Sequence, residues 1–250
     1  MAKTPLTSTV FEYLKYQAER GRKTTCQIQG AYVSEEQRDF SEVLKHFKTP
    51  PSLRKGVWNL LDNPLEYDLQ LLDAFNAPQF ITERDLLEWG MGAPKDPHLR
   101  RNGVKQPSIR RWMLVSEAES VTGFHRDIWG LWTLVEVQTG EKFWAWPPQC
   151  QETVDVRKKY GAFKSVSKFP RIFALLLRKG DALIMAPGEI HAVVTPTDAC
   201  ALGMHFQMAE TLDQTVVLGK ADITTQKGFV NDKRNIKPFL TSLVEVTILS

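Results

Sequence analysis

Between residues 112 and 206 the apolar residues come in short runs rich in β-branched and aromatic side chains, with turn residues between them. The runs are 112–115 (WMLV), 131–137 (LWTLVEV), 143–146 (FWAW), 172–177 (IFALLL), 182–185 (ALIM), 191–194 (HAVV) and 201–206 (ALGMHF). Runs of this length and composition read as strands, and many short strands with turns between them suggest a sandwich or a barrel. A jelly roll of two sheets fits, and it would bring residues that are distant in sequence to one mouth.

The flanks have a different texture. Residues 1–92 read as a helical region packed on the barrel. Phe11, Leu14 and Ala18 are spaced as one helical face, Ser34 and Gln37 match a capping box, and Phe40, Val43, Leu44 and Phe47 form a second face. Thr82 is placed to cap a short helix carrying Asp85, Leu86, Leu87 and Trp89. Residues 93–111 are polar, basic and rich in Pro and Gly, which is loop chemistry. The mainly β core is then expected over 93–209, with a polar inserted loop at 149–170. Residues 210–250 form a C-terminal extension in which 213–218 fits either strand or helix.

No apolar run is long enough to span a membrane, and the first residues lack the apolar core of a signal peptide. Cys26, Cys150 and Cys200 are scattered and odd in number, without zinc spacing, which points to ordinary thiols in an intracellular protein, nuclear or cytoplasmic. A net charge of +3 does not announce a nucleic-acid binder.

The chemistry concentrates at VTGFHRDIWG. In a β-strand, residues i and i+2 share a face, so His125 and Asp127 can grip one ion from the same side. A third donor must come from elsewhere, and His191 is the best placed. Two histidines and one carboxylate that leave open positions make up the facial triad of non-haem Fe(II) oxygenases. His46, on a helical face, and His98, in the basic loop, read as ordinary residues.

The residues around this set keep a fixed order. Thr122 precedes His125; Gly140-Glu141-Lys142, Trp144 and Pro147-Pro148 follow Asp127. Gly180-Asp181 and Pro187-Gly188 precede His191, and Gly203-Met204-His205-Phe206 closes the series. Over about residues 110–208 the chain thereby resembles the JmjC family of iron- and 2-oxoglutarate-dependent oxygenases, within the cupin superfamily. The resemblance implies a double-stranded β-helix with His125, Asp127 and His191 as the iron ligands and catalytic centre. It implies 2-oxoglutarate as co-substrate, with Lys142 and Thr122 on its far carboxylate and Thr133 on the adjacent strand facing it. A buried lysine is costly unless paired, and a dicarboxylate would supply the pairing. His205 stands where relatives often carry Asn, and its role stays open between a donor near the metal and plain core. Residues 57–62 (VWNLLD) are similar to a stretch found ahead of the core in many relatives and read as part of the helical wall. Trp129, Trp132, Trp144 and Trp146 read as core and pocket wall.

What the resemblance implies is hydroxylation or demethylation of a protein side chain. Two other readings stay open: a JmjC-like interaction module without catalysis, and a metal-binding cupin acting on a small molecule, although the His pair of a G-x(5)-H-x-H motif is missing. The expected partner is a protein or peptide, with no membrane. Arg100, Arg101, Lys105, Arg110 and Arg111 form a basic cluster that is either solvated surface or a hold on an acidic or polar peptide. Nucleic acid is not expected as a direct ligand, because aromatics are not interleaved with the cluster.

Overall fold

Two antiparallel sheets face each other in the computed structural model, which describes residues 8–30, 33–65, 77–86, 111–127, 130–147 and 171–225. In chain order the strands are β1 (Lys23–Gln29), β2 (Val33–Asp39), β3 (Val57–Pro64), β4 (Arg111–Ser116), β5 (Val121–Arg126), β6 (Trp132–Thr139), β7 (Glu141–Trp146), β8 (Phe173–Arg178), β9 (Ala182–Met185), β10 (Ile190–Val194) and β11 (Ala199–Phe206). The larger sheet runs β2-β1-β3-β4-β11-β6-β9 and the smaller one β5-β10-β7-β8. This is the expected mainly β jelly roll, and each apolar run of the sequence falls on one of its strands.

The two-residue period of the strands sorts the core into two layers. On β11, Cys200, Leu202, Met204 and Phe206 face outward to a cluster shared with Met113 and Val115 of β4 and Leu134 of β6. Two helices cover that face: α1 (Ser8–Glu19), through Val10, Tyr13 and Leu14, and α2 (Phe40–Lys48), through Phe40, Val43 and Phe47. The alternate residues form the layer between the sheets, with Ala201 packed beside Trp112, Val135, Val137, Trp144, Leu177, Met185 and Val193. One strand therefore sends large apolar groups to the helices while its other face carries Ala201, Gly203 and His205 toward the interior.

The helical reading of residues 1–92 needs correction. The two helical faces are real, but three strands accompany them. The supposed capping box at Ser34 lies inside β2, where Ser34 pairs with Ile28, and α2 starts only after Asp39. Residues 57–62 are not helical wall but β3, paired with β1 and β4. Trp58, Asn59, Leu60 and Leu61 are all buried, so burial does not mark the strand period, and tertiary pairing settles what a short apolar run leaves ambiguous. The short helix near Thr82 is α3 (Gln79–Arg84), which starts at Pro78 and ends at Asp85 rather than beginning at Thr82; Leu87 and Trp89 lie outside the described residues. The N-terminal part is stapled to the barrel by charge as well. Arg54, its side chain only 6% exposed, reaches Glu117 at 3.1 Å and Asp198 at 2.9 Å, and His46 bonds Glu117 at 2.9 Å. The 92/93 boundary, the basic cluster apart from Arg111, and the loop 149–170 fall outside the described residues.

The C-terminal extension opens as a helix, α4 (Leu212–Thr225), which resolves the ambiguity at 213–218. Its Leu218 is buried against Gly130 and Gly188, both at positive φ, where an added Cβ would come within 2.8 Å and 2.7 Å of the leucine. Thr215 donates to the Gly130 carbonyl at 2.7 Å, and Gln214 donates to the Pro187 carbonyl at 3.1 Å. The helix thus ties together the two loops that follow Asp127 and precede His191. Leu218→Ala should lower unfolding free energy by about 2–5 kcal/mol, the usual cost of emptying a buried leucine site. Val217→Ala, at an exposed position of the same helix, should change it by less than about 0.5 kcal/mol. Urea unfolding of both variants checks this.

Candidate metal centre

β5 and β10 are neighbours in the smaller sheet, and their register sets His125 directly opposite His191. The imidazole centroids are 4.2 Å apart. Asp127 lies one residue past the end of β5, and its Oδ1 is 3.9 Å from His125 Nε2 and 3.8 Å from His191 Nε2. One ligand atom from each of the three residues falls within 4.8 Å of the others. The predicted triad therefore converges.

Both histidines are oriented for ligation. His125 Nδ1 donates to the Gly123 carbonyl at 2.8 Å and His191 Nδ1 to the Glu189 carbonyl at 3.1 Å. A proton held on Nδ1 leaves Nε2 with a free lone pair, the usual way a backbone carbonyl orients a ligating imidazole. Burial, then the nearby His191, pushes the His125 pKa down to about 4, so the ring is neutral at physiological pH. Burial alone would raise the Asp127 carboxyl, but the surrounding imidazoles, His191 foremost, and the Thr133 hydroxyl outweigh it and hold the group below the ordinary carboxylate range. Imidazole nitrogens with free lone pairs and an ionised carboxylate form the donor set that a divalent ion such as Fe(II) accepts. Trp144 stacks on His191 with an interplanar angle of 21° and donates its N–H to Met185 Sδ, as a wall rather than a cage.

The triad opens into a cavity also lined by Lys142, Thr122, Asn59 and Trp112. Lys142, on β7, is 1% exposed. Its ammonium donates to Ser116 Oγ at 2.7 Å and Thr195 Oγ1 at 3.2 Å, and no carboxylate among the described residues pairs with it. Burial lowers its pKa to about 8. The hydroxyl of Ser116 passes its proton to Asn59 Oδ1 at 2.7 Å, and Asn59 Nδ2 donates to Thr122 Oγ1 at 3.1 Å. Every donor in this chain points the same way, and the Thr122 hydroxyl, having accepted, keeps its own proton to give. Lys142 and the Thr122 hydroxyl thereby offer donors to the cavity, which Asp62 also lines.

Thr133 and His205 are placed differently. Thr133 is not among the cavity-lining residues; its hydroxyl bonds Asp127 Oδ2 at 2.5 Å and lies 3.1 Å from His205 Nδ1. His205 lines the cavity and accepts the Trp112 indole N–H at 3.1 Å. Asn59, Ser116 and Thr195 escape a reading of the sequence because their roles arise from pairing. Asn59 and Ser116 meet only through the β3–β4 register, and the strand period of 57–62 is the one signal that could have found Asn59. A bulge between Leu60 and Asn63 also turns Leu61 and Asp62 to the cavity, with Asp62 at φ 49°.

No protein-family model matches the chain. Among curated proteins it is similar to the JmjC domain-containing histone demethylation protein 1 of Caenorhabditis briggsae, 28% identical over 184 residues that cover 66% of this chain and 17% of the relative. The protein of that name in Kluyveromyces lactis is 25% identical over 201 residues, 76% of this chain and 38% of the relative. Lysine-specific demethylase 2A of Xenopus tropicalis is 27% identical over 176 residues, 65% of this chain and 15% of the relative. The chain thus matches between about a seventh and two fifths of the length of these relatives. The triad geometry leads to one measurement. Asp127→Ala, which removes the one anionic donor, should weaken Mn(II) binding by more than the roughly 100-fold that outer-shell losses reach, as read by calorimetry on the metal-free protein.

Proposed function

We propose that this chain, a member of the JmjC family, is an Fe(II)- and 2-oxoglutarate-dependent oxygenase that acts on a protein side chain. The observation that supports it most is Lys142: a buried cation that, among the described residues, donates to the Ser116 and Thr195 hydroxyls and pairs with no carboxylate, in the cavity that holds the triad. Burying a charge without a partner is costly, so a lysine in this setting is explained by an anion that arrives from solution. The far carboxylate of a dicarboxylic acid fits, because Lys142 and the Thr122 hydroxyl both offer donors and the metal ligands sit in the same cavity.

His125, Asp127 and His191 would hold Fe(II) in that cavity. Bound there, Fe(II) with 2-oxoglutarate supplies oxidation of a C–H bond by O2, with release of CO2 and succinate. The chain itself positions and shields. Lys142 and Thr122 anchor the co-substrate at one end, Trp144 and Met185 close the wall behind His191, and Asn59 keeps the Thr122 hydroxyl turned as a donor. The names of the relatives point to methylated lysine on a histone as the substrate class, and hence to a nuclear setting. Hydroxylation of an N-methyl group gives a product that collapses to formaldehyde and the free amine.

The test is succinate formation from 2-oxoglutarate by iron-loaded protein, with and without methyl-lysine histone peptides. Peptide-stimulated succinate with matching formaldehyde is expected; no succinate under any peptide would overturn the reading. Lys142→Ala should raise the 2-oxoglutarate KM tenfold or more, since a charge-assisted contact contributes about 1.5–3 kcal/mol, while Mn(II) binding persists. The pH dependence follows from the lowered lysine pKa. The charged ammonium is present below about pH 8 and is lost above it, so co-substrate affinity should fall as pH rises through 8. The limiting slope is about tenfold per pH unit, and titration of 2-oxoglutarate against Mn(II)-loaded protein measures it.

A further inference from the structure

His205 is buried, and three groups approach its ring: the Trp112 indole, the Thr133 hydroxyl and the Trp132 backbone carbonyl, which as an acceptor also favours a ring N–H. The indole N–H of Trp112 is a donor only, so His205 Nε2, 3.1 Å away, must accept. The Thr133 hydroxyl has one proton. It is 2.5 Å from Asp127 Oδ2, a carboxylate oxygen that can only accept, so the proton goes there. That leaves the lone pairs of Thr133 Oγ1 facing His205 Nδ1 at 3.1 Å, and Nδ1 must carry the hydrogen. Both ends demand the same form: a neutral imidazole with its proton on Nδ1. A protonated ring would set Nε2–H against the indole N–H.

The series Trp112 → His205 → Thr133 → Asp127 is therefore a one-way run of donors that ends on the carboxylate. It ends on one oxygen only. Asp127 Oδ2 takes the Thr133 proton, while Oδ1 faces His125 Nε2 at 3.9 Å and His191 Nε2 at 3.8 Å. The backbone is shaped for this. Gly203 and His205 share one face of β11, and Gly203 pairs across the sheet with Trp112. A β-carbon at Gly203 would come 2.1 Å from the indole ring, so the missing side chain is the space in which Trp112 lies to reach His205.

We propose that His205 is a positioning residue: fixed as the neutral Nδ1–H tautomer by Trp112, it orients the Thr133 hydroxyl, which holds Asp127 with a single oxygen turned to the metal position. The proposal rests on the reading of Asp127 as a metal ligand. It places His205 one step behind the carboxylate rather than in contact with the co-substrate.

Two measurements test it. In the metal-free full chain at neutral pH, nitrogen-15 NMR of the imidazole should show His205 neutral with hydrogen on Nδ1; a proton on Nε2, or on both nitrogens, overturns the proposal. This needs no variant and no metal. The second measurement is Mn(II) affinity, with the visible spectrum of the Co(II) form as a monitor of carboxylate geometry. His205→Leu and Thr133→Val should each weaken Mn(II) binding about 10–100-fold, as losses behind a ligand do, and change the Co(II) spectrum. His205→Asn and Thr133→Ser, which restore the donors, should return both to near the wild-type values. Unchanged affinity and spectrum in Thr133→Val, with binding lost in Asp127→Ala, would remove the relay and leave the metal centre standing. Normal binding in Asp127→Ala would instead remove the metal centre on which the relay rests.

Discussion

The pairing of β5 with β10 is the constraint from which the site follows. Because His125 stands opposite His191 in the register, two imidazoles meet at a centroid distance of 4.2 Å without help from any loop. A shift of one residue would turn one of them to the outer face of the sheet, since side chains alternate along a strand. The carboxylate needs more care, because Asp127 lies beyond the strand end. It is held by Thr133 from the opposite sheet, and the loop after it is fastened by Leu218 and Thr215 of α4. Strands place the two imidazoles, while a side-chain bond and a packed helix secure the carboxylate.

The cavity is built with two poles. Near the metal position the Nδ1 protons of His125 and His191 are given to backbone carbonyls, which leaves lone pairs turned inward. At the other end, Lys142, Ser116, Asn59 and Thr122 pass protons in the opposite sense and leave donors turned inward. A cation fits the first pole and a carboxylate the second. A molecule bearing a chelating group at one end and a carboxylate at the other satisfies both, and this is the physical content of the proposed co-substrate.

Much of this was legible in the sequence, for a stated reason. The sheets announce themselves because their strands are short, apolar and separated by turns, and His125, Asp127 and His191 are residue types that few other chemistries require together. The N-terminal strands were hidden. Residues 34–37 carry the polar pattern of a helix start, yet their backbone bonds are taken by β1. The pattern WNLL in β3 is too short to tell strand from helix without its partners. Asn59 and Ser116 were invisible as functional residues because neither belongs to a motif; only the β3–β4 register brings them under the lysine. His205 could be singled out but not assigned, since its role depends on which atom faces Trp112 and which faces Thr133.

A crystal structure of the chain grown without oxygen, with Mn(II) and 2-oxoglutarate present, tests the central claim most directly. The account predicts one ion bound by His125 Nε2, His191 Nε2 and a single oxygen of Asp127, with the far carboxylate of 2-oxoglutarate on Lys142 Nζ and Thr122 Oγ1. An ion bound elsewhere, or a co-substrate whose carboxylate does not reach Lys142, would contradict it.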